Sequence, residues 1–492
     1  MKKIKKLIAL LLSAVILLSC VGCNKSEDAY IYFELPELPQ TLDPQTASSD
    51  QELIVIRNIF EGLLRVDENG EIKLATAKSY TKSGLLYTFK LRDSSWSDGS
   101  KLTAYDFEFA LRRAVSPETE APFVSRLFSI KGAEEIYNKK ASLNTLGVKA
   151  IDEKTLSITL EKEDDAFLEV LTTSIAMPCN EKFFNSCDGK YGIYADKVIC
   201  NGSYEITRWR KDPFGIRLYK NDSYKGLFPS KNAAVFITCD KEEDTLTKLE
   251  KESIDIAFID STLTTSAKNK GLKTEEFQNI CWVLTIGDEF SKDMRKAFAL
   301  LVSGNIYSKD LPEGYSVAAS LYPDALSLEK TAKGINFYDK DNAKKLYLKE
   351  LKKYEDGKFP TDKLLYFYDN GQIKNVVTDI VGHWQSNLSA FVNIEAVSTP
   401  HALLPQLSDN SYPFAVFPVK ADSAFMREYV DKFGLESVSQ DNGSNQEKIL
   451  KNSTVIPLMF QNTVIAYTSS IKEFNACLGN GYIDFAYIVK EP

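Results

Sequence analysis

The stretch 96-WSDGSKLTAYDFEFALRRAVSP-117 spells out a turn, a helix start, a buried helix face and a helix stop in succession. Ser97-Asp98-Gly99 turns the chain. Thr103 stands at a helix N-cap with Asp106 three residues on, the spacing of a reciprocal capping pair. Phe107, Ala110, Leu111 and Ala114 recur on one helical face. Ser116-Pro117 then ends the helix, because a residue before proline is pushed towards extended backbone. Just upstream, Tyr87, Phe89 and Leu91 alternate with polar neighbours as in a half-buried strand. Every one of these roles is structural, and together they point to a mixed α/β chain.

The same alternation of strand and helix extends in both directions. Glu52 to Leu64 reads as a helix, with Leu53, Ile56, Ile59, Phe60 and Leu63 at helical spacing, and Asp67 to Gly70 is a turn. Short strands are expected at Leu156–Leu160, Tyr204–Thr207, Gly215–Tyr219 and Val235–Cys239. From residue 364 the pattern sharpens. LLYFY is a buried strand, and Ile373, Val376, Val377, Ile380, Val381, Trp384 and Leu388 mark a long amphipathic helix. VNIEAV, a helix around Ala402–Leu407 and PFAVF then complete a strand–helix–strand–helix–strand unit, which implies a largely parallel sheet. At 492 residues the chain exceeds one ordinary core, so at least two α/β lobes are expected.

The N-terminus is of another kind. MKKIKK precedes the apolar run Leu7–Leu18, which is too short to span a bilayer comfortably and reads as an export signal. SCVGCNKSED follows, with a small residue before each cysteine, and resembles a bacterial lipobox. Cys23 is the favoured acylation site and Cys20 the alternative. Acyl chains there would hold the protein at a membrane surface. Without residues 1–22 the chain keeps 68 acidic against 56 basic side chains, a net of about −12. That balance argues against a nucleic-acid partner, which needs a basic footprint. Cys179, Cys187 and Cys200 crowd together, and an exported location permits either a disulfide or free buried thiols among them.

No catalytic constellation stands out. The two histidines, His383 and His401, sit apart without cysteine partners at metal-ligand spacing. Neither a G-x-S-x-G elbow nor a phosphate-cradling glycine loop occurs. The acidic runs Lys241–Thr245 and Glu161–Asp165 read as solvated surface. No enzyme, no cofactor and no metal are therefore expected.

One resemblance gathers these segments together. TLDPQTASSDQELIVIRNIFEGLLRVDENGEIKLATAKSY (41–80) and the block through Pro117 resemble the N-terminal signature of extracytoplasmic solute-binding proteins of the oligopeptide/dipeptide ABC-importer family. The likeness continues through TLGVKAIDEKTLSITLEK, VICNGSYEITRWRKD, GIRLYKNDSYKG, KLEKESIDIAFI, MRKAFALLVSGNIY and STVIPLMFQNTVIAYT, and it is strongest to the oligopeptide-binding branch. It implies two hinged α/β lobes of the periplasmic-binding-protein type with an extra N-terminal subdomain. Residues 23–61, 198–279 and 462–492 would form lobe I, 62–197 the subdomain and 280–461 lobe II, after a signal peptide at 1–22. The implied function is capture of oligopeptides in the interlobe cleft by a monomer anchored to the bacterial membrane by lipid, with delivery to ABC permease and ATPase subunits. A non-peptide solute, or a signalling peptide sensed rather than imported, is the alternative.

The resemblance also implies a site. Asp422 falls where the family pairs an aspartate with the ligand's amino group, followed by the helix SAFMREYV, which it would otherwise cap. Val419 stands where the family has Trp, Pro418 where it has Gly, and Lys420 lies between them and Asp422. Ser48, with Ser49 beside it, takes the place of an acidic residue after Leu-Asp-Pro. Phe258 and Ile259 replace a Tyr and Asn pair, and Trp282 and Phe460 are candidate cleft walls.

Overall fold

The turn and helix at 96–117 form as their residue pattern dictates. The computed structural model describes residues 29–209, 215–238, 244–287, 289–321, 338–354, 357, 359, 362–367, 372–397, 413–420, 453, 455–475 and 483–491. Gly99 closes the turn with φ +82° and an N–H bond to the Trp96 carbonyl at 2.9 Å. The Asp106 carboxylate accepts both the N–H (2.7 Å) and the hydroxyl (3.0 Å) of Thr103, and the helix runs Ala104–Val115. Phe107, Ala110, Leu111 and Ala114 are completely buried.

Among the described residues eleven strands form one sheet, and eight others make three smaller sheets. In chain order they are β1 (Tyr30–Leu35), β2 (Leu64–Val66), β3 (Ile72–Leu74), β4 (Ala77–Ser83), β5 (Leu86–Leu91), β6 (Val148–Asp152), β7 (Thr155–Thr159), β8 (Tyr204–Trp209), β9 (Ile216–Lys220) and β10 (Ala233–Thr238). They continue as β11 (Ile256–Ile259), β12 (Lys273–Ile286), β13 (Tyr315–Val317), β14 (Asp362–Phe367), β15 (Val392–Val397), β16 (Phe414–Lys420), β17 (Val455–Tyr467), β18 (Ile471–Phe474) and β19 (Ile488–Lys490). The large sheet runs β15-β14-β16-β12-β17-β11-β1-β10-β9-β8, with β13 also on β17. β4-β5-β7-β6 make a separate antiparallel sheet on which the Ala104–Val115 helix lies, tied by the Glu108 carboxylate accepting from the Ala150 N–H at 2.8 Å.

Among the described residues two large hydrophobic cores stand out, with smaller clusters beside them. The first runs without a break from the four-stranded sheet into β1, β8, β9 and β10, so the 96–117 module packs directly under that half. The second gathers Trp282, Phe298, Tyr347, Trp384 and Phe414 around β12, β14 and β16. Here β14 pairs in parallel with β15 and with β16, as the strand–helix pattern implies, and the Gln372–Leu388 helix buries Ile373, Val376, Val377, Ile380 and Trp384. The helix expected around Ala402–Leu407 lies outside the described residues.

Two local readings change. The helix read over Glu52–Leu64 spans only Asp50–Ile59. Asn201 takes over at its end, accepting from the Glu61 N–H at 3.1 Å and donating to the Glu61 carbonyl at 2.8 Å. The Gly202 N–H caps Ile59 at 2.9 Å. This contact comes from 140 residues away, so local spacing alone gives no sign of it. Of the cysteines, Cys179, Cys187, Cys200 and Cys281 are free and buried. The disulfide alternative among the first three is not realised.

The Leu42-Asp43-Pro44 turn is fastened to the subdomain by a buried pair. Arg113 binds the Asp43 carboxylate and donates to the Gln45 side chain at 2.7 Å, while its guanidinium lies 4.5 Å from the Phe184 ring centre. Both members of the pair are under one-tenth exposed, so each requires the other.

Candidate ligand cleft

β12 and β17 are the long strands shared by both halves. Lys273–Gln278 pairs with Asn462–Tyr467 beside the first core, and Ile280–Thr285 pairs with Val455–Gln461 beside the second. Asn279 is left over between the two registers as a bulge, which bends a strand and interrupts its ladder. The bulge is anchored: the Thr463 hydroxyl donates to the Asn279 side chain at 2.6 Å.

The strand register locates a candidate cleft. β11 ends at Ile259, opposite Val464 of β17. β16 ends at Lys420, opposite Ile280 of β12, whose other partner is Gln461. The carboxyl ends of these strands therefore reach the same short stretch of the crossover pair from opposite halves. β14 and β15 run parallel to β16, and β1 and β10 run parallel to β11 through β1. Ligands in open α/β sheets bind outside the carboxyl ends of strands, and here two such sets of ends meet.

The meeting point is polar. Gln278 donates to the Ser316 hydroxyl at 2.9 Å, Asn462 donates to Glu276 at 3.2 Å, and the Trp282 indole N–H donates to Gln461 at 2.8 Å. Gln278-Asn279 separates the charged start of β12 from its apolar end, Gln461-Asn462 interrupts the mostly apolar β17, and the two pairs sit across from each other. That repeated Gln-Asn pair was the available sequence signal for the crossover; only pairing between distant strands gives it meaning.

The remaining candidate residues fall as follows. Val419, Cys281, Phe460 and Ser316 form one row across β16, β12, β17 and β13. Pro418, Trp282, Met459 and Val317 form the next row, on the opposite face. Trp282 is 1% exposed, belongs to the second core and stacks on Phe367. Phe460 and Val419 are each 6% exposed. Phe258 is half-buried on β11, edge-on to Phe33 at 5.7 Å. Ser49 caps the Asp50–Ile59 helix, and the N–H groups of Ser48 and Ser49 both bond the Glu52 carboxylate, at 2.9 and 3.0 Å. Lys420 is described as backbone alone, and Asp422, Cys20 and Cys23 lie outside the described residues.

The titratable groups described in and beyond this region are buried or hydrogen-bonded. Burial pushes the Cys281 thiol up, which keeps it protonated and a poor nucleophile. Burial likewise raises Tyr467 to about 12, with Glu275 adding to the effect. Glu34 at the end of β1 is committed to Lys248 at 2.8 Å and to the Thr245 hydroxyl at 2.6 Å. His383 meets the Tyr338 hydroxyl at 3.0 Å on the helix surface. Among the described residues no cluster of His, Cys, Asp and Glu is placed to hold a metal ion.

Comparison with known proteins agrees with this architecture. The chain is 30% identical over 375 residues to the dipeptide-binding protein of Lactococcus lactis, covering 69% of this chain and 67% of that protein. It is 29% identical over 380 residues to the oligopeptide-binding protein OppA of Bacillus subtilis, covering 73% and 69%. The structure of Listeria monocytogenes OppA bound to peptide superposes with a TM-score of 0.76 at 22% identity, over 95% of this chain and 100% of that one, so the two-lobed fold is shared. A family model described as bacterial extracellular solute-binding proteins, family 5 middle, matches residues 71–440, and the chain belongs to that family.

Proposed function

We propose that this protein captures peptides between its two lobes and presents them to an ABC permease with its ATPase subunits. The supporting observation is the convergence of the β11 and β16 ends on the bulged crossover, together with relatives named for dipeptide and oligopeptide binding. Residues 23–61, 198–279 and 462–492 make one lobe, 280–461 the other, and 62–197 the supporting subdomain. An extended peptide gains affinity from main-chain bonds to exposed strand edges without its side chains being read. Closing the lobes removes water, so each bond gains weight. The closed form is what the permease selects, which couples loading to delivery.

In this reading Asp422 pairs with the ligand's ammonium group, and Ser48, Phe258 and the strand end at Val419–Lys420 line the cleft. The protein works as a monomer on the extracytoplasmic face, held by lipid on Cys23, with Cys20 as the other candidate. A thermal-shift screen with peptide pools tests the reading; stabilisation by another solute and by no peptide overturns the peptide part. Asp422→Ala should weaken free-amine peptides by a few kcal/mol and leave N-acetylated ones almost unchanged, the cost expected when one partner of a desolvated ion pair is removed. Equal loss for both ligands would make Asp422 structural. The half-buried Phe258 and the adjoining Ile259 favour a second reading, an apolar solute in the same cleft.

A further inference from the structure

We infer that Gln461 touches the bound ligand, its side-chain amide donating to a carbonyl of the peptide; the inference rests on the peptide-binding reading above. Side chains along a strand alternate between its two faces. On β17 the unbroken register from Met459 to Tyr467 therefore puts Met459, Gln461, Thr463, Ile465 and Tyr467 on one face. Met459 belongs to the second core, and Ile465 and Tyr467 belong to the first. Those three are buried, whereas Gln461 and Thr463 between them are half-buried.

β12 repeats the pattern beside it. Phe277 lies opposite Thr463 and packs against the first core, and Ile280 lies opposite Gln461 and packs against the second. Both are half-buried. The two cores thus stand on the same face of the crossover, and Phe277, Ile280, Gln461 and Thr463 floor the gap between them. The opposite face is occupied otherwise: Val464 packs in a smaller cluster with Ile259, and Gln278 is bonded to Ser316.

Gln461 is the floor residue whose side chain is aimed. An indole N–H can only donate, so the atom that Trp282 meets at 2.8 Å is the carboxamide oxygen. The amide nitrogen is left on the other branch, and among the described residues no acceptor is bonded to it. Thr463 next to it is already committed, its hydroxyl donating to Asn279 at 2.6 Å. While the lobes are apart, water satisfies the Gln461 amide. When they close on a ligand that water leaves, and an N–H without an acceptor bears the full cost of its desolvation. A peptide lying on the floor supplies the acceptor as a main-chain carbonyl. Trp282 fixes the amide beforehand, so little rotamer freedom is lost in making the bond.

The test is Gln461→Glu, which keeps an oxygen for Trp282 and replaces the donor by an acceptor. Wild type and variant are titrated with a pool of random pentapeptides. At about pH 7 the variant should bind roughly ten- to hundredfold more weakly, the worth of a donor lost in a closed site. At about pH 4 the new carboxyl takes up a proton and can donate again, so the gap between the two proteins should shrink. Equal affinity at neutral pH, or a loss that acid does not reduce, overturns the inference and leaves peptide binding standing. Silence of the wild type towards the pool removes the functional reading and this inference with it. A second measurement needs no variant: in wild type carrying isotope-labelled glutamine, the Gln461 side-chain amide resonance should shift when the pool is added to saturation. An unmoved resonance contradicts the contact.

Discussion

The Glu313 carboxylate accepts the backbone N–H of Thr265 at 3.1 Å and the Thr265 hydroxyl as well, joining the two halves of the molecule outside the crossover strands. Glu313 precedes β13, which lies on the second-core part of β17, and Thr265 belongs to the short helix after β11. Around this pair the Asn462 N–H bonds the Gly314 carbonyl at 2.9 Å, and the Ser261 hydroxyl bonds the Glu313 carbonyl at 3.3 Å. Gly314 sits at φ +79°, and a Cβ there would come within 2.4 Å of the Ser261 side chain. Both Glu313 and Thr265 are solvent-exposed in character, so the contact contributes little to global stability. A double-mutant cycle of Glu313→Gln and Thr265→Val should show coupling of about 0.5 kcal/mol in urea unfolding, as for surface pairs. Each single variant should nevertheless change the association rate for a bound peptide, read by stopped-flow fluorescence, because the contact biases how the halves sit. Unchanged association rates would make it an ornament of the surface.

The Asp43–Arg113 pair behaves differently, being buried on both sides. Arg113→Met should cost about 3–5 kcal/mol of unfolding free energy by stranding a buried carboxylate. Adding Asp43→Asn should recover part of that loss. Full additivity of the two changes would show that the salt bridge does not hold the Leu42–Pro44 turn to the subdomain.

Asp106 gives a pH signature. Burial raises its carboxyl to about 6, although Thr103 donates two hydrogen bonds to it. Because the folded value lies above the ordinary aspartate value, the native state binds more protons than the unfolded chain between about pH 4 and 6. This group's contribution to stability therefore falls as pH rises through that window. In Asp106→Asn the difference in stability between pH 4.5 and pH 7 should change by roughly 1–2 kcal/mol in that sense. An identical pH dependence in variant and wild type would contradict the shift.

Trp282 should report the hinge. It lies three residues from the Asn279 bulge and is tied to Gln461 across the crossover, whereas Trp384 is buried deep in the second core and bonds the Phe298 carbonyl at 3.1 Å. With the other three tryptophans changed to Phe, a protein keeping Trp282 should show a ligand-dependent emission change. A protein keeping only Trp384 should show almost none. Equal responses would mean the motion is not focused at the crossover.

Much of the frame was legible in the sequence because it depends on near neighbours. The Thr103–Asp106 cap, the Ser116-Pro117 stop and the periodicity of Ile373 to Leu388 are local physics, and they appear where their spacing puts them. The cleft depends on register between strands more than 100 residues apart, which spacing cannot supply. Trp282 and Phe460 show the difference: both are large, apolar and near the crossover, yet row parity puts Trp282 in the core and Phe460 on the opposite face. Gln461-Asn462 is visible as a polar break in β17, but only its pairing with Gln278 and Ile280 marks the junction. The shortened helix at Ile59 has the same cause, since its end is set by Asn201.

Small-angle scattering with and without a saturating peptide from the pools addresses the hinged capture of ligand most directly. The radius of gyration should fall on addition of the peptide and recover when it is dialysed away, with the peptide returned intact. A scattering profile that stays the same at full occupancy would show that the strand ends meeting at Asn279 do not close upon anything.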